Sequence, residues 1–184
     1  MDNLQQIKHL VARAGFGLRF EDIPADENLS VKKMVNKLFK ATSANDSIAV
    51  ITDNTDYAML VKGDIATKKM FLQAQRQQEK DLNLAWINKM STTDAQLQEK
   101  MTLFWHNHFA CRSQRAAFAQ QLNNIQRANA LGSFRTMLMQ VSQSPAMLQF
   151  LNNQQNQKGH PNENFARELM NFLPLAGVTI PSRM

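Results

Sequence analysis

The sequence predicts an all-α fold, a multi-helix assembly of about seven helices. Three observations predict it. Glycine and proline number only six and five among 184 residues, so chain punctuation is sparse. Alternating runs of Val, Ile, Thr and Tyr are nearly absent, which argues against strands. Apolar residues recur three and four apart, the spacing of a helix face. Hydrophobic residues at 43% and charged residues at 20% fit a globular chain and exclude wholesale disorder. The length suits one domain or a piece of a larger one.

Residues 3–13 read as a first helix with Leu4, Ile7, Leu10 and Val11 on one side, stopped at the AGFG turn, 14–17. Because a helix precedes that turn and no strand does, it reads as a helix end rather than a phosphate cradle. Ser30 is a good N-cap for a helix to about Ala41, with Val31, Met34, Val35, Leu38 and Phe39 as its buried stripe. Residues 42–63 read as a loop carrying at most a brief element, since IAVIT (48–52) has strand composition but lies among Asn, Asp and Ser. Asp64 can cap a long helix through Met90. The apolar pattern fades near Gln78, where a break is expected, and returns with Leu82, Ala85, Trp86 and Met90.

Thr93-x-x-Gln96 has the form of a capping box and would open a helix to about Ala110. Leu97, Met101, Phe104, Trp105 and His108 are expected on its apolar side. A helix over 114–129 follows. Ser133 would cap the next, with Phe134, Met137, Leu138 and Val141 inward. Ser144 and Pro145 form an N-cap and first-turn proline for 145–151. NNQQNQKGH reads as a loop. Asn162 would cap a last helix, 163–173, which Pro174 stops. The expected core contains Phe104, Trp105, Phe134, Leu138, Met147, Leu148, Phe165 and Leu169.

Composition bounds function only loosely. The single cysteine, Cys111, excludes an internal disulfide and a multi-cysteine zinc site. No apolar run approaches the roughly 20 residues of a membrane span. The start, MDNLQQIKHL, lacks a secretory leader, which points to the cytoplasm. A net charge of +6 permits a polyanion partner. The basic residues are dispersed, though, and no aromatic side chains alternate with them as a stacking platform requires, so nucleic acid is disfavoured. Glutamine and asparagine are abundant, 18 and 17 residues. Set among helix formers, they imply an uncharged polar helix surface rather than a low-complexity tract.

The sharpest local feature is WHNHF, 105–109. On a regular helix, residues two apart point about 200° from each other, so His106 and His108 cannot grip one ion together. His108 lies on the apolar side and is the better candidate for a buried metal ligand or general base, with His106 a second candidate ligand. The competing reading is a core histidine whose nitrogens are satisfied by a neighbouring helix. The second feature is PNENFARELM, 161–170. Glu163 and Arg167 are four apart and can pair. Glu168 sits at the edge of the apolar stripe of Phe165 and Leu169. A meeting of Glu168 or Glu163 with His108 across a helix contact would give a His–carboxylate pair fit for proton transfer or for a divalent metal. The alternative is a capped helix with an ordinary ion pair.

At these same residues the chain resembles a known bacterial family. HLVARAGFG, EKMTLFWHNHFA, ALGSFRTMLMQVSQSPAMLQFLNN and KGHPNENFARELM, in that order, are similar to the "domain of unknown function 1800" family over about residues 7–173. The resemblance implies a mostly helical fold and no established reaction. The family's recurring polar positions fall on His9, Arg13, His106, His108, Asn162, Glu163, Asn164, Arg167 and Glu168. Family members often carry export leaders and continue well beyond ARELMELFTLG. Here the motif reads ARELMNFLPLAG, with Asn171 and Pro174 departing from it, and the tail 174–184 diverges. Residues 1–184 are therefore expected to form one partial domain. An incomplete domain would leave apolar surface exposed for self-association or a protein partner. Two functions stay open: a His/Glu site between helices 93–110 and 163–173, carried by His108, Glu168, Glu163 and Arg167; or a non-catalytic helical scaffold or interaction module.

Overall fold

The computed structural model of the chain describes residues 2–23, 29–42, 46–53, 61–159 and 162–172, apart from the side chains at 169, 171 and 172. Eight α-helices and no strand occur among them. They are α1 (Asn3–Ala14), α2 (Val31–Lys40), α3 (Ile65–Thr92), α4 (Gln96–His108), α5 (Ala116–Ala128), α6 (Phe134–Ser142), α7 (Pro145–Phe150) and α8 (Glu163–Phe172). The all-α expectation holds. None of these helices is long and apolar enough to cross a membrane.

The end signals work largely as their chemistry demands. Ser30 accepts from the Lys33 N–H, Asp64 from the Thr67 N–H and Ser144 from the Met147 N–H. Ser133 takes the extended cap conformation but its hydroxyl makes no cap bond. Gly15 closes α1 by donating to Val11 O. A Cβ there would meet Gln96 Oε1 at 2.4 Å and Gln96 Cβ at 2.9 Å, so α1 and the start of α4 come together at a residue without a side chain. Gly17, at φ +105°, takes the left-handed backbone that follows.

Two expectations about elements fail. Thr93 is not part of a capping box. Its hydroxyl accepts from the Ala95 N–H, and α4 begins at Gln96. The Gln96 side chain instead accepts from Phe16 N–H at 3.2 Å. No break occurs near Gln78; α3 runs 28 residues without interruption. Gln75, at the level where the apolar pattern fades, is buried and accepts from the Ala116 N–H, so a polar contact replaces an apolar one. IAVIT forms no strand, in keeping with its reading as a loop.

α5 is the central helix, packed against α3, α4, α6 and α7. Three apolar clusters surround this frame. α1 and α2 meet through Ile7, Val11, Met34 and Leu38, with Leu97 of α4 against them. Leu82, Trp86 and Ala116 join α3 to α5 and enclose Ile48 and Ile51. Phe109, Leu122, Met137, Val141 and Met147 form the third, with Trp105, Phe134, Leu138 and Phe165 packed on it.

The expected core is corrected at two aromatics. Phe104 is 53% exposed and Phe39 56%. Each lies one position from residues that do turn inward, because α4 and α2 present a narrower or rotated face. For α4 the reason is chemical. Its buried face carries Gln98, Glu99 and Thr102, polar residues that a hydropathy pattern reads as outward. On α3, Ile65, Met70, Leu72, Leu84 and Ile87 are exposed. Pro174 and the tail lie outside the described residues.

Candidate functional site

The last turn of α4 and the first two turns of α8 carry the residues singled out from the sequence. His108 is half-buried. Its ring is edge-on to Trp105 and Phe109, at 5.7 and 4.8 Å between centroids, and 6.3 Å from Phe134. Phe104 stacks on it at 6.3 Å. These rings belong to or border the third apolar cluster, and Phe165 of α8 packs on that same cluster. The end of α4 and, through Phe165, α8 thus both border the third apolar cluster.

α8 is held to the body by Asn162. Its amide donates to Leu151 O at 3.0 Å and Asn152 O at 3.1 Å, while its Oδ1 accepts from the Asn164 N–H. Its own N–H donates to Asn156 Oδ1. Arg167 then gathers the polar face of α8. It donates to Glu163 Oε1 at 3.1 Å and to Asn164 Oδ1, and lies 3.9 Å from Glu168. Glu163 is exposed and Glu168 partly so. The structure therefore brings Glu163, Asn164, Arg167 and Glu168 into one cluster.

His106 points elsewhere. Its ring is edge-on to Trp86 of α3 at 5.1 Å. Partial desolvation against that surface pushes its pKa below the ordinary histidine value although the residue as a whole is exposed, and the nearby Gln126 amide opposes the shift without making a well-formed hydrogen bond. The two imidazoles serve different neighbours, as helix geometry requires. Among the described residues no three His, Cys, Asp or Glu side chains converge in a metal-holding group. His9 and Arg13 are exposed on α1. Cys111 packs on the third cluster, where burial raises its thiol to about 11.

A polar centre that the sequence reading did not find lies between α3, α4 and α5. Glu99 and Arg127 are both fully buried. Arg127 Nε and Nη2 donate to the two Glu99 oxygens at 2.6 and 3.2 Å. Trp86 Nε1 donates to Glu99 Oε2 at 2.8 Å, and Arg127 Nη1 to Asn124 Oδ1 at 2.7 Å. Gln98 donates to Arg127 O. Two further buried side chains of α5, Asn123 and Gln126, have amide atoms without a hydrogen-bond partner. The available signal was weak: Glu99 and Arg127 each sit three or four from apolar neighbours on their helices, and nothing local distinguishes them from surface charges.

The model of one protein family matches residues 9–175. The chain belongs to the DUF1800 family, described as proteins of unknown function. No curated protein and no solved structure matches the chain.

Proposed function

We propose that the DUF1800 chain carries a general acid/base site where α4 meets α8. His108 is the proton-transferring group, Glu168 or Glu163 its carboxylate partner, and Arg167 an anion contact that also orients Glu163. The observation that carries this reading is the shared cluster: the His108 ring lies against Phe109 and Phe134, and Phe165, one turn before Glu168, packs on the same cluster. A half-buried imidazole paired with a carboxylate would be suited to moving a proton. A divalent metal on His108 and a carboxylate is the other chemistry such a pair supports.

The direct test records the His108 imidazole NMR resonances at one pH in the wild type, Glu168→Gln and Glu163→Gln. Loss of a carboxylate partner must move those resonances. Superimposable spectra of all three proteins overturn the pairing. Metal content of purified wild type against His108→Ala decides between bare acid/base and metal-assisted chemistry.

The scaffold reading is favoured by a separate observation: the buried charges of Glu99 and Arg127 are spent on each other and on Trp86 and Asn124. Such pairing fixes helix register. Under that reading His108→Ala lowers stability by about 1–3 kcal/mol and changes nothing else.

A further inference from the structure

The middle of the chain has a one-sided charge pattern. No Asp or Glu occurs between Glu99 and Glu163. Glu99 itself is buried against Arg127 and offers nothing to the surface. On this stretch lies an open depression of about 550 Å³. One wall is the loop between α4 and α5, which supplies Arg112, Gln114 and Arg115. The other is the end of α7 and the turn after it, which supplies Gln149, Phe150, Asn152 and Gln154. None of the described residues that line it is acidic. Both walls are braced by their own contacts. The Ser113 hydroxyl accepts from the Arg115 N–H at 3.2 Å and donates to Arg115 O at 3.0 Å, closing the loop on itself. The Arg115 guanidinium lies over the Phe118 ring at 5.0 Å, which restrains its donor fork. Opposite, Asn152 takes a left-handed backbone at φ +54°. Its N–H donates to Gln149 O at 3.2 Å and its carbonyl accepts from Asn162. Glycine would make that turn with less strain, so the turn does not itself require the Asn152 carboxamide.

The lining chemistry narrows the ligand. A guanidinium presents a fork of donors that matches a carboxylate or a phosphoryl group. A carboxamide sets donors and an acceptor side by side, which suits a sugar hydroxyl, itself both donor and acceptor. Phe150, 44% exposed, adds an apolar face. The volume is that of a small-molecule site. A nucleic-acid backbone asks for a longer row of cations than Arg112 and Arg115 provide. We propose that the depression between the α4–α5 loop and the end of α7 binds an acidic saccharide. Its carboxylate or phosphoryl group sits on Arg112 and Arg115. Its hydroxyls meet the carboxamides of Gln149, Asn152 and Gln154, and a ring face rests on Phe150. This inference is independent of the His108 site.

The test follows the backbone amide NMR signals of the full chain during titration with digalacturonate, glucose 6-phosphate, maltose and inorganic phosphate. At least one of the two acidic sugars should bind, with shifts centred on residues 112–115 and 149–154. Maltose and inorganic phosphate each keep only part of the contacts and should bind at least about tenfold more weakly. Tighter binding of digalacturonate assigns a carboxylate ligand; tighter binding of glucose 6-phosphate assigns a phosphoryl one. No binding of either acidic sugar up to about 10 mM overturns the proposal. Inorganic phosphate bound as tightly as the acidic sugars makes this a simple anion site and overturns it, and maltose bound as tightly removes the anion and overturns it too. A short single-stranded oligonucleotide that binds the same residues at least about tenfold more tightly assigns the depression to nucleic acid instead. Two variants locate the contacts. Arg112→Gln, at an exposed position, should weaken binding at least about tenfold, whereas Arg135→Gln, exposed but outside the depression, should not. Asn152→Gly suits the left-handed backbone, so thermal stability should hold while affinity falls about tenfold. Unchanged affinity in both Arg112→Gln and Asn152→Gly, or an equal loss in Arg135→Gln, overturns the assignment.

Discussion

Arg127 lies wholly inside the protein with Nε 2.6 Å from Glu99 Oε1, so the centre of this helical assembly is an ion pair between α4 and α5. Removing one partner strands the other charge in a dry interior. Arg127→Ala should lower unfolding stability by about 3–5 kcal/mol, read from the midpoint of a urea transition. Glu99→Gln keeps an acceptor for Trp86 and should cost less. Equal stability of Arg127→Ala and wild type would remove the pair from any account of the fold.

Gln126 should behave in the opposite sense. Its amide is buried without a partner. Gln126→Met keeps the shape and discards the unsatisfied groups, so stability should rise by about 1 kcal/mol. A loss of that size in calorimetry would show that the amide is satisfied in solution.

Stability should also depend on His106. Its folded-state pKa is lowered by partial desolvation against α3. The unfolded chain then binds more protons, and stability rises with pH through the window from the depressed value up to the ordinary one near 6.5. The contribution is complete above that window and is lost as pH falls through it. A His106→Gln variant should flatten this part of the profile; an unchanged slope assigns it to another group.

Cys111 should be chemically quiet. With its thiol at about 11, thiolate is scarce at neutral pH. Iodoacetamide labelling at pH 7.5 should be slower than for a free thiol by roughly two orders of magnitude, and fast in denaturant. Rapid labelling of the native protein would contradict its packing on the third cluster.

What the sequence disclosed and what it withheld divide along a physical line. Helix ends are local chemistry, so Ser30, Asp64, Ser144 and Asn162 could be recognised as caps from their neighbours alone. Apolar burial was legible for Met34, Leu38, Met137 and Val141, whose spacing matches one helix face. Phe104 misled because hydropathy assigns any aromatic to the interior, while the inward face of α4 is polar. Glu99 and Arg127 could not be paired from sequence: they are 28 positions apart, and each looks like a solvated charge until the helices are packed. Residues 48–52 were visible as strand-like composition, but their true partners are amides of a distant helix, Asn124 and Gln120. The polar positions of α8 were legible because they lie within two turns of each other. Their relation to His108 depends on how Phe165 docks, which no local pattern encodes.

Asn162 gives the molecule a mechanical asymmetry. One carboxamide spans the end of α7 and the start of α8. Glu163, Arg167 and Glu168 therefore ride on a helix anchored twice, by this bracket at its start and by Phe165 one turn in, so its first turn is braced from both ends.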